Sequence, residues 1–155
     1  MQPQIYPCIW YNNNAQEMAA LYCATFANSS ITISNNIVVK MLLHSNTFML
    51  LNGGDKHLPT EAVSFVVECD TQEEIDNIWE SLTINGGQVN QCGWCKDKYG
   101  VSWQIIPTIL PQLMSNHATA KKVMEAFMLM KKMNIATFQK AAKVQRLFST
   151  IFAKG

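Results

Sequence analysis

At 155 residues the chain has room for one domain, or for two small halves sharing a core. With 48% hydrophobic and 15% charged residues it can fill an interior and has little pull toward disorder, which excludes a chain disordered throughout. The formal charge of +1 divides into +7 from His117 onward and −6 over residues 1–116, so any case for nucleic acid or membrane contact must rest on the last quarter of the chain.

The first predicted element is a short strand, Ile5 to Tyr11, closed by Asn12-Asn13-Asn14. Asn14 stands three residues before Glu17, the spacing of a capping box, and Met18, Leu21, Tyr22 and Phe26 continue as one helical stripe. Asn28-Ser29-Ser30 stops that helix. Strands are expected near Ile31 to Ile33, Val38 to Leu43 and Phe48 to Leu51, with Asn52-Gly53-Gly54 as the closing turn. The same order then recurs. Val63 to Cys69 alternates as a strand does; Thr71 and Glu74 form the sharpest capping box; Ile75, Ile78, Trp79 and Leu82 give a helix face. Asn85-Gly86-Gly87 is a left-handed stop. Strands follow at Gln88 to Asn90, Gly93 to Asp97 and Val101 to Ile106. Two strand–helix–strand–strand–strand units therefore stand in tandem, a repeated architecture without a repeated sequence.

Beyond Pro107 the texture changes. Pro111 opens a short turn toward Met114, Ala118 to Met133 reads as a methionine-rich helix, and Asn134 caps a further helix through Phe138 and Ala142, which residues 143–155 extend. The lysines here are interleaved with Val123, Met124, Phe127, Met128 and Met130. They read as the wet side of an amphipathic helix, and no basic-aromatic stripe suggests nucleic acid. No apolar run approaches a membrane span. Met1-Gln2-Pro3-Gln4 has neither region of an export signal, so a cytoplasmic protein with its five cysteines reduced is expected.

Tyr6-Pro7-Cys8-Ile9-Trp10-Tyr11, Asn52-Gly53-Gly54 and Cys92-Gly93-Trp94-Cys95-Lys96-Asp97-Lys98-Tyr99-Gly100-Val101-Ser102-Trp103-Gln104 resemble the PhnB-like group. That group is also called 3-demethylubiquinone-9 3-methyltransferase-like and lies within the glyoxalase/bleomycin resistance/dioxygenase, or vicinal oxygen chelate, superfamily. The likeness runs over roughly residues 4–142. It implies an α+β glyoxalase-like fold: two βαβββ modules, about 4–54 and 62–107, forming a curved sheet around a cleft. Residues 1–110 would be the glyoxalase-like domain and 111–155 a C-terminal helical appendage. A homodimer is also implied.

In metal-dependent relatives four cleft-facing positions supply His and Glu. Carried over by strand register they fall at Pro7, at Leu50 (or Asn52 with a one-pleat slip), at Ser64 and at Gln104. None offers a strong cation donor, so no metal and no cofactor is expected. Alternation then assigns Pro7, Ile9 and Tyr11 to the cleft face of the first strand, with Ser64, Val66 and Glu68, and Ser102 and Gln104, on the corresponding faces of the second module. With Leu50, Asn52 and Trp94 these make a partly apolar lining suited to a small organic ligand. Glu68 is the only candidate acid or base among them, and its other reading is a strand-end carboxylate reaching solvent. Cys92 and Cys95 have the spacing of a redox dithiol, but the pair runs into a strand, which holds the thiols too far apart unless a local turn at Gly93 brings them together. The three histidines, His44, His57 and His117, are scattered. Asn52-Gly53-Gly54 lacks the strand–GxGxxG–helix setting of a nucleotide-type loop. The function expected is metal-free binding of a small molecule; a methyltransferase or a sequestering drug-binding dimer are the alternatives.

Overall fold

The computed structural model describes residues 3–152, with side chains through Lys143. The chain runs β1 (Cys8–Tyr11), α1 (Ala15–Thr25), β2 (Ser30–Ser34), β3 (Val38–Leu43), β4 (Asn46–Asn52), β5 (Ser64–Cys69), α2 (Gln72–Thr83), a 3-10 turn (Ile84–Gly86), β6 (Gln88–Val89), β7 (Trp94–Lys96), β8 (Ser102–Pro107), α3 (Leu110–Ser115), α4 (Ala120–Leu129) and α5 (Ile135–Phe152). The sheets have strand orders β1-β4-β3-β2 and β5-β8-β7-β6. In each, the first strand lies parallel to the last and the other pairings are antiparallel. The duplicated βαβββ order legible in the sequence is thus present as two sheets of one topology, an α+β glyoxalase-like fold. The chain divides into two compact units, the residues to Val63 with Tyr99–Val101, and Ser64–Lys98 with the chain from Ser102 on.

In the first unit Ala15, Met18, Ala19 and Tyr22 of α1 are fully buried, as are Val39, Met41 and Leu50 of the sheet. The start of α1 differs from the expected capping box, because Asn14 makes no side-chain cap bond. The first amide of the helix, Ala15 N–H, donates instead to Asn52 Oδ1 at 2.9 Å. Asn52 Nδ2 donates to the Asn36 carbonyl at 3.0 Å and to Gln16 Oε1 at 3.3 Å. One amide side chain thereby ties the end of β4 to the start of α1 and to the turn before β3, a solution that reaches 37 residues along the chain and that a local motif does not reveal.

In the second unit the local signal suffices. Thr71 Oγ1 accepts from Glu74 N–H at 3.1 Å, and Glu74 Oε2 accepts from Thr71 N–H at 3.0 Å, closing the capping box. Ile75, Trp79 and Leu82 of α2 are buried, as are Cys95, Trp103 and Ile105 of the sheet. Buried Asp97 accepts from Trp103 Nε1 at 2.9 Å. The C-terminal helices belong to this unit. The expected single helix from Ala118 to Met133 is α4 alone, ending at Leu129, because residues 130–135 are drawn aside. Gln72 Nε2 donates to the Met133 carbonyl (3.1 Å), and Gln72 Oε1 accepts from Ile135 N–H (2.9 Å). The Cys92 and Gly93 amides donate to the carbonyls of Met130 (2.7 Å) and Lys131 (2.8 Å). Asn134 then caps α5 as expected, accepting from Thr137 N–H at 2.8 Å. Residues 153–155 lie outside the described part. Among the described residues no helix is long and apolar enough to cross a membrane.

Candidate functional site

Each sheet turns one side to its helix, and strand register fixes which residues stand on the other. In the second sheet Ser64, Val66 and Glu68 are in register with Ser102, Gln104 and Ile106. Across β8, Ser102 pairs with Lys96 and Gln104 with Trp94. The intervening Phe65, Cys95, Trp103 and Ile105 point the other way, with α2, as period-2 alternation requires. The face away from α2 is therefore a small grid. One row is Ser64–Ser102–Lys96, the next is Val66–Gln104–Trp94, and the third is Glu68–Ile106.

Two of the positions carried over as metal-ligand positions meet within this grid. Gln104 Nε2 donates to Ser64 Oγ at 2.7 Å. Ser102 is 2% exposed, and its Oγ is buried with no hydrogen-bond partner. Trp94 and Gln104 are half-buried, and Val66 is 54% exposed. Glu68 is exposed at the end of β5, the arrangement of a strand-end carboxylate in water.

The first sheet departs from the expected facing. Ile9 and Tyr11 are in register with Leu50 and Asn52, and Leu50 is in register with Val39. Asn52 reaches the first turn of α1, so this is the helix-covered side. Leu50 is fully buried and Ile9 nearly so, while all three polar functions of the Asn52 amide are bonded within the fold. Pro7 lies just before β1, exposed, with its carbonyl accepting from Met49 N–H at 3.0 Å. Tyr11 packs edge-on against Tyr99, ring centres 5.3 Å apart. Correcting the register by one residue brings Cys8 and Trp10 to the uncovered side with Met49, Leu51 and Lys40. Trp10 and Lys40 were not found from sequence, because Ile5 to Tyr11 carries no polar–apolar alternation to choose between the two faces. Lys40 Nζ stands 4.9 Å from the centre of the Tyr6 ring. Trp10 Nε1 donates to the Gly54 carbonyl at 2.9 Å, and its ring meets His57 edge-on at 5.0 Å.

The donor chemistry does not suit a divalent cation. Proline and leucine bring no side-chain donor, and the serine and glutamine are neutral and already joined to each other. Among the described residues no three His, Cys, Asp or Glu are grouped. Cys92 and Cys95 are free thiols. Cys95 is fully buried, and burial, with Asp97 adding its charge, pushes its pKa up to about 12, the reverse of an activated nucleophile. Gly53-Gly54 leads from β4 into a loop, not a helix. A groove of about 380 Å³ lies elsewhere, among α3, the start of α4 and α5, and includes Gln112, Asn116 and Gln139.

The family described as 3-demethylubiquinone-9 3-methyltransferase matches residues 3–106. A PhnB protein from Bacillus cereus bearing the same methyltransferase name is 27% identical, covers 68% of this chain and 100% of its own, and superposes with a TM-score of 0.61. The fosfomycin resistance protein FosX from Listeria monocytogenes, solved with Mn(II) and sulfate, is 13% identical over 76% of this chain and 99% of its own (TM-score 0.54). A glyoxalase-related enzyme from Fulvimarina pelagi is 14% identical over 70% and 91% (TM-score 0.51). The last two share the fold alone. No curated protein is significantly similar to the chain.

Proposed function

This chain belongs to the 3-demethylubiquinone-9 3-methyltransferase family of the vicinal oxygen chelate superfamily, and from that premise we propose that it binds a small, partly apolar organic molecule on the face of its second sheet away from α2, without a metal ion. The observation that carries the reading is the Gln104–Ser64 hydrogen bond. Two positions carried over as metal-ligand positions hold neutral groups bonded to one another, beside the indole of Trp94 and the exposed side chain of Val66. A few polar groups set among apolar ones is the make-up of a small-molecule site. Pro7, Ile9, Tyr11, Leu50 and Asn52 take no part, and Glu68, out in solvent, is given no proton-transfer step. The homodimer and the cytoplasmic setting implied by the resemblance go with this reading.

Two measurements test it. Metal analysis of protein purified without chelator is expected to find no stoichiometric transition metal; one zinc, nickel, manganese or iron per chain would refute the metal-free part. A thermal-shift screen of small organic compounds is expected to yield ligands whose binding weakens at least tenfold in Gln104→Ala. A screen with no ligand, or ligands indifferent to that change, would refute the site. The family's methyltransferase name supports a second reading, in which the bound molecule is methylated. It predicts a heat of binding for S-adenosylmethionine, and a flat calorimetric titration would end it.

A further inference from the structure

We propose that the ligand of this face is an aromatic oxyanion, with its charged end on the Ser64–Ser102–Lys96 row and its ring system along Val66–Gln104–Trp94. The inference rests on the small-molecule reading above and names the class that reading leaves open.

The two rows differ in kind. The first holds two hydroxyls and an ammonium in register on three adjacent strands. Neighbouring side chains on one face stand about 4.5–5.5 Å apart, so Ser64 and Lys96 flank Ser102 on either side. Its buried hydroxyl lacks any partner, and an unpaired buried hydroxyl is unfavourable until an acceptor arrives. An oxyanion is such an acceptor.

The second row, two residues along each strand and so roughly 6.6–6.8 Å away, presents the indole of Trp94 and the exposed isopropyl group of Val66. Flat conjugated rings pack on such a surface, and a fused bicyclic ring spans the interval better than a single one. The third row fixes polarity. Glu68 lies four residues beyond Ser64, roughly 13 Å along the strand, and its carboxylate repels an anion placed at that end. The charge gradient therefore admits the molecule in one orientation only.

The probes are 2-naphthoate, its neutral isostere 2-naphthamide, and the saturated decahydro-2-naphthoate, titrated by ligand-observed NMR against the full chain. The expected result is naphthoate binding at least tenfold tighter than either of the others. The advantage over the amide should fall below threefold in Lys96→Met and in Ser102→Ala, with the far-UV circular dichroism unchanged as evidence of an intact fold. Equal affinity for naphthoate and naphthamide overturns the oxyanion row; equal affinity for naphthoate and its saturated analogue overturns the aromatic row. If neither aromatic probe binds while the thermal-shift screen yields ligands dependent on Gln104, this inference fails and the binding function stands. If that screen is empty as well, both fail.

Discussion

Replacing Gly53 with alanine isolates one steric contact. A Cβ at this position would lie 2.2 Å from Trp10 Cε2, 2.4 Å from Cζ2 and 2.5 Å from Cδ2, so the indole must leave its place. It is held there by its donation to the Gly54 carbonyl and by the edge-on contact with His57. Losing the hydrogen bond costs about 0.5–1.5 kcal/mol, and the ring pair a similar ~0.5–1.5. Forcing a ring out of a packed position adds roughly 1–3 kcal/mol. The backbone at Gly53 is not in the left-handed region, so alanine restricts the unfolded chain and returns about 0.4–1 kcal/mol. The net expectation is a destabilisation of about 2–4 kcal/mol, read as a lower urea midpoint at constant slope. The same substitution in a Trp10→Ala background, where nothing is left to strike, is expected to cost under about 1 kcal/mol. A cost below roughly 0.5 kcal/mol in the native background, or an equal cost in both, would refute the mechanism.

Asn52→Ala is expected to destabilise by about 1–2 kcal/mol through the lost cap on Ala15 while leaving ligand affinity unchanged; a selective loss of binding would return Asn52 to the site. Trp103→Phe removes a buried, charge-assisted bond to Asp97 and should lower stability by about 1.5–3 kcal/mol in chemical denaturation, a neutral outcome counting against that bond. Burial raises the Cys95 thiol from 9.0 to about 12 and the Cys69 thiol to about 11. Well below pH 9 both are protonated whether folded or unfolded. As pH climbs from 9 toward 11 and 12 the unfolded chain ionises first, so stability falls, by about 1.4 kcal/mol per thiol at pH 10. Thermal melts at pH 8 and pH 10 should show a smaller drop in Cys95→Ala than in the native chain, and identical drops would show that Cys95 does not carry the effect.

The architecture was legible because each module repeats its own punctuation. Thr71 with Glu74 starts α2, Asn85-Gly86-Gly87 stops it, and the positive φ of Asn85 and Gly86 is the conformation those residues tolerate. The facing of the second sheet was legible too, because Ser102-Trp103-Gln104-Ile105 alternates polar and apolar, and the register with β5 follows that alternation. The first sheet resisted for the opposite reason. Its opening strand is apolar or aromatic on both sides, and the residue that decides its facing, Asn52, does so through a hydrogen bond to a helix start far off in sequence. The break after α4 was hidden likewise, since Met130 and Lys131 leave the helix to accept hydrogen bonds from Cys92 and Gly93.

That junction has a consequence for how the chain can be cut or extended. Gln72 grips the Met133 carbonyl and the Ile135 amide from one side, Cys92 and Gly93 hold Met130 and Lys131 from another, and Lys132 reaches Asp76. A polypeptide ended before residue 130 would strip the buried Gly93 amide of its acceptor at the bend that enters β7, the strand carrying Trp94 and Lys96. The segment that joins the terminal helices is a buttress for the entry to β7, and trimming it as a dispensable tail would loosen that strand.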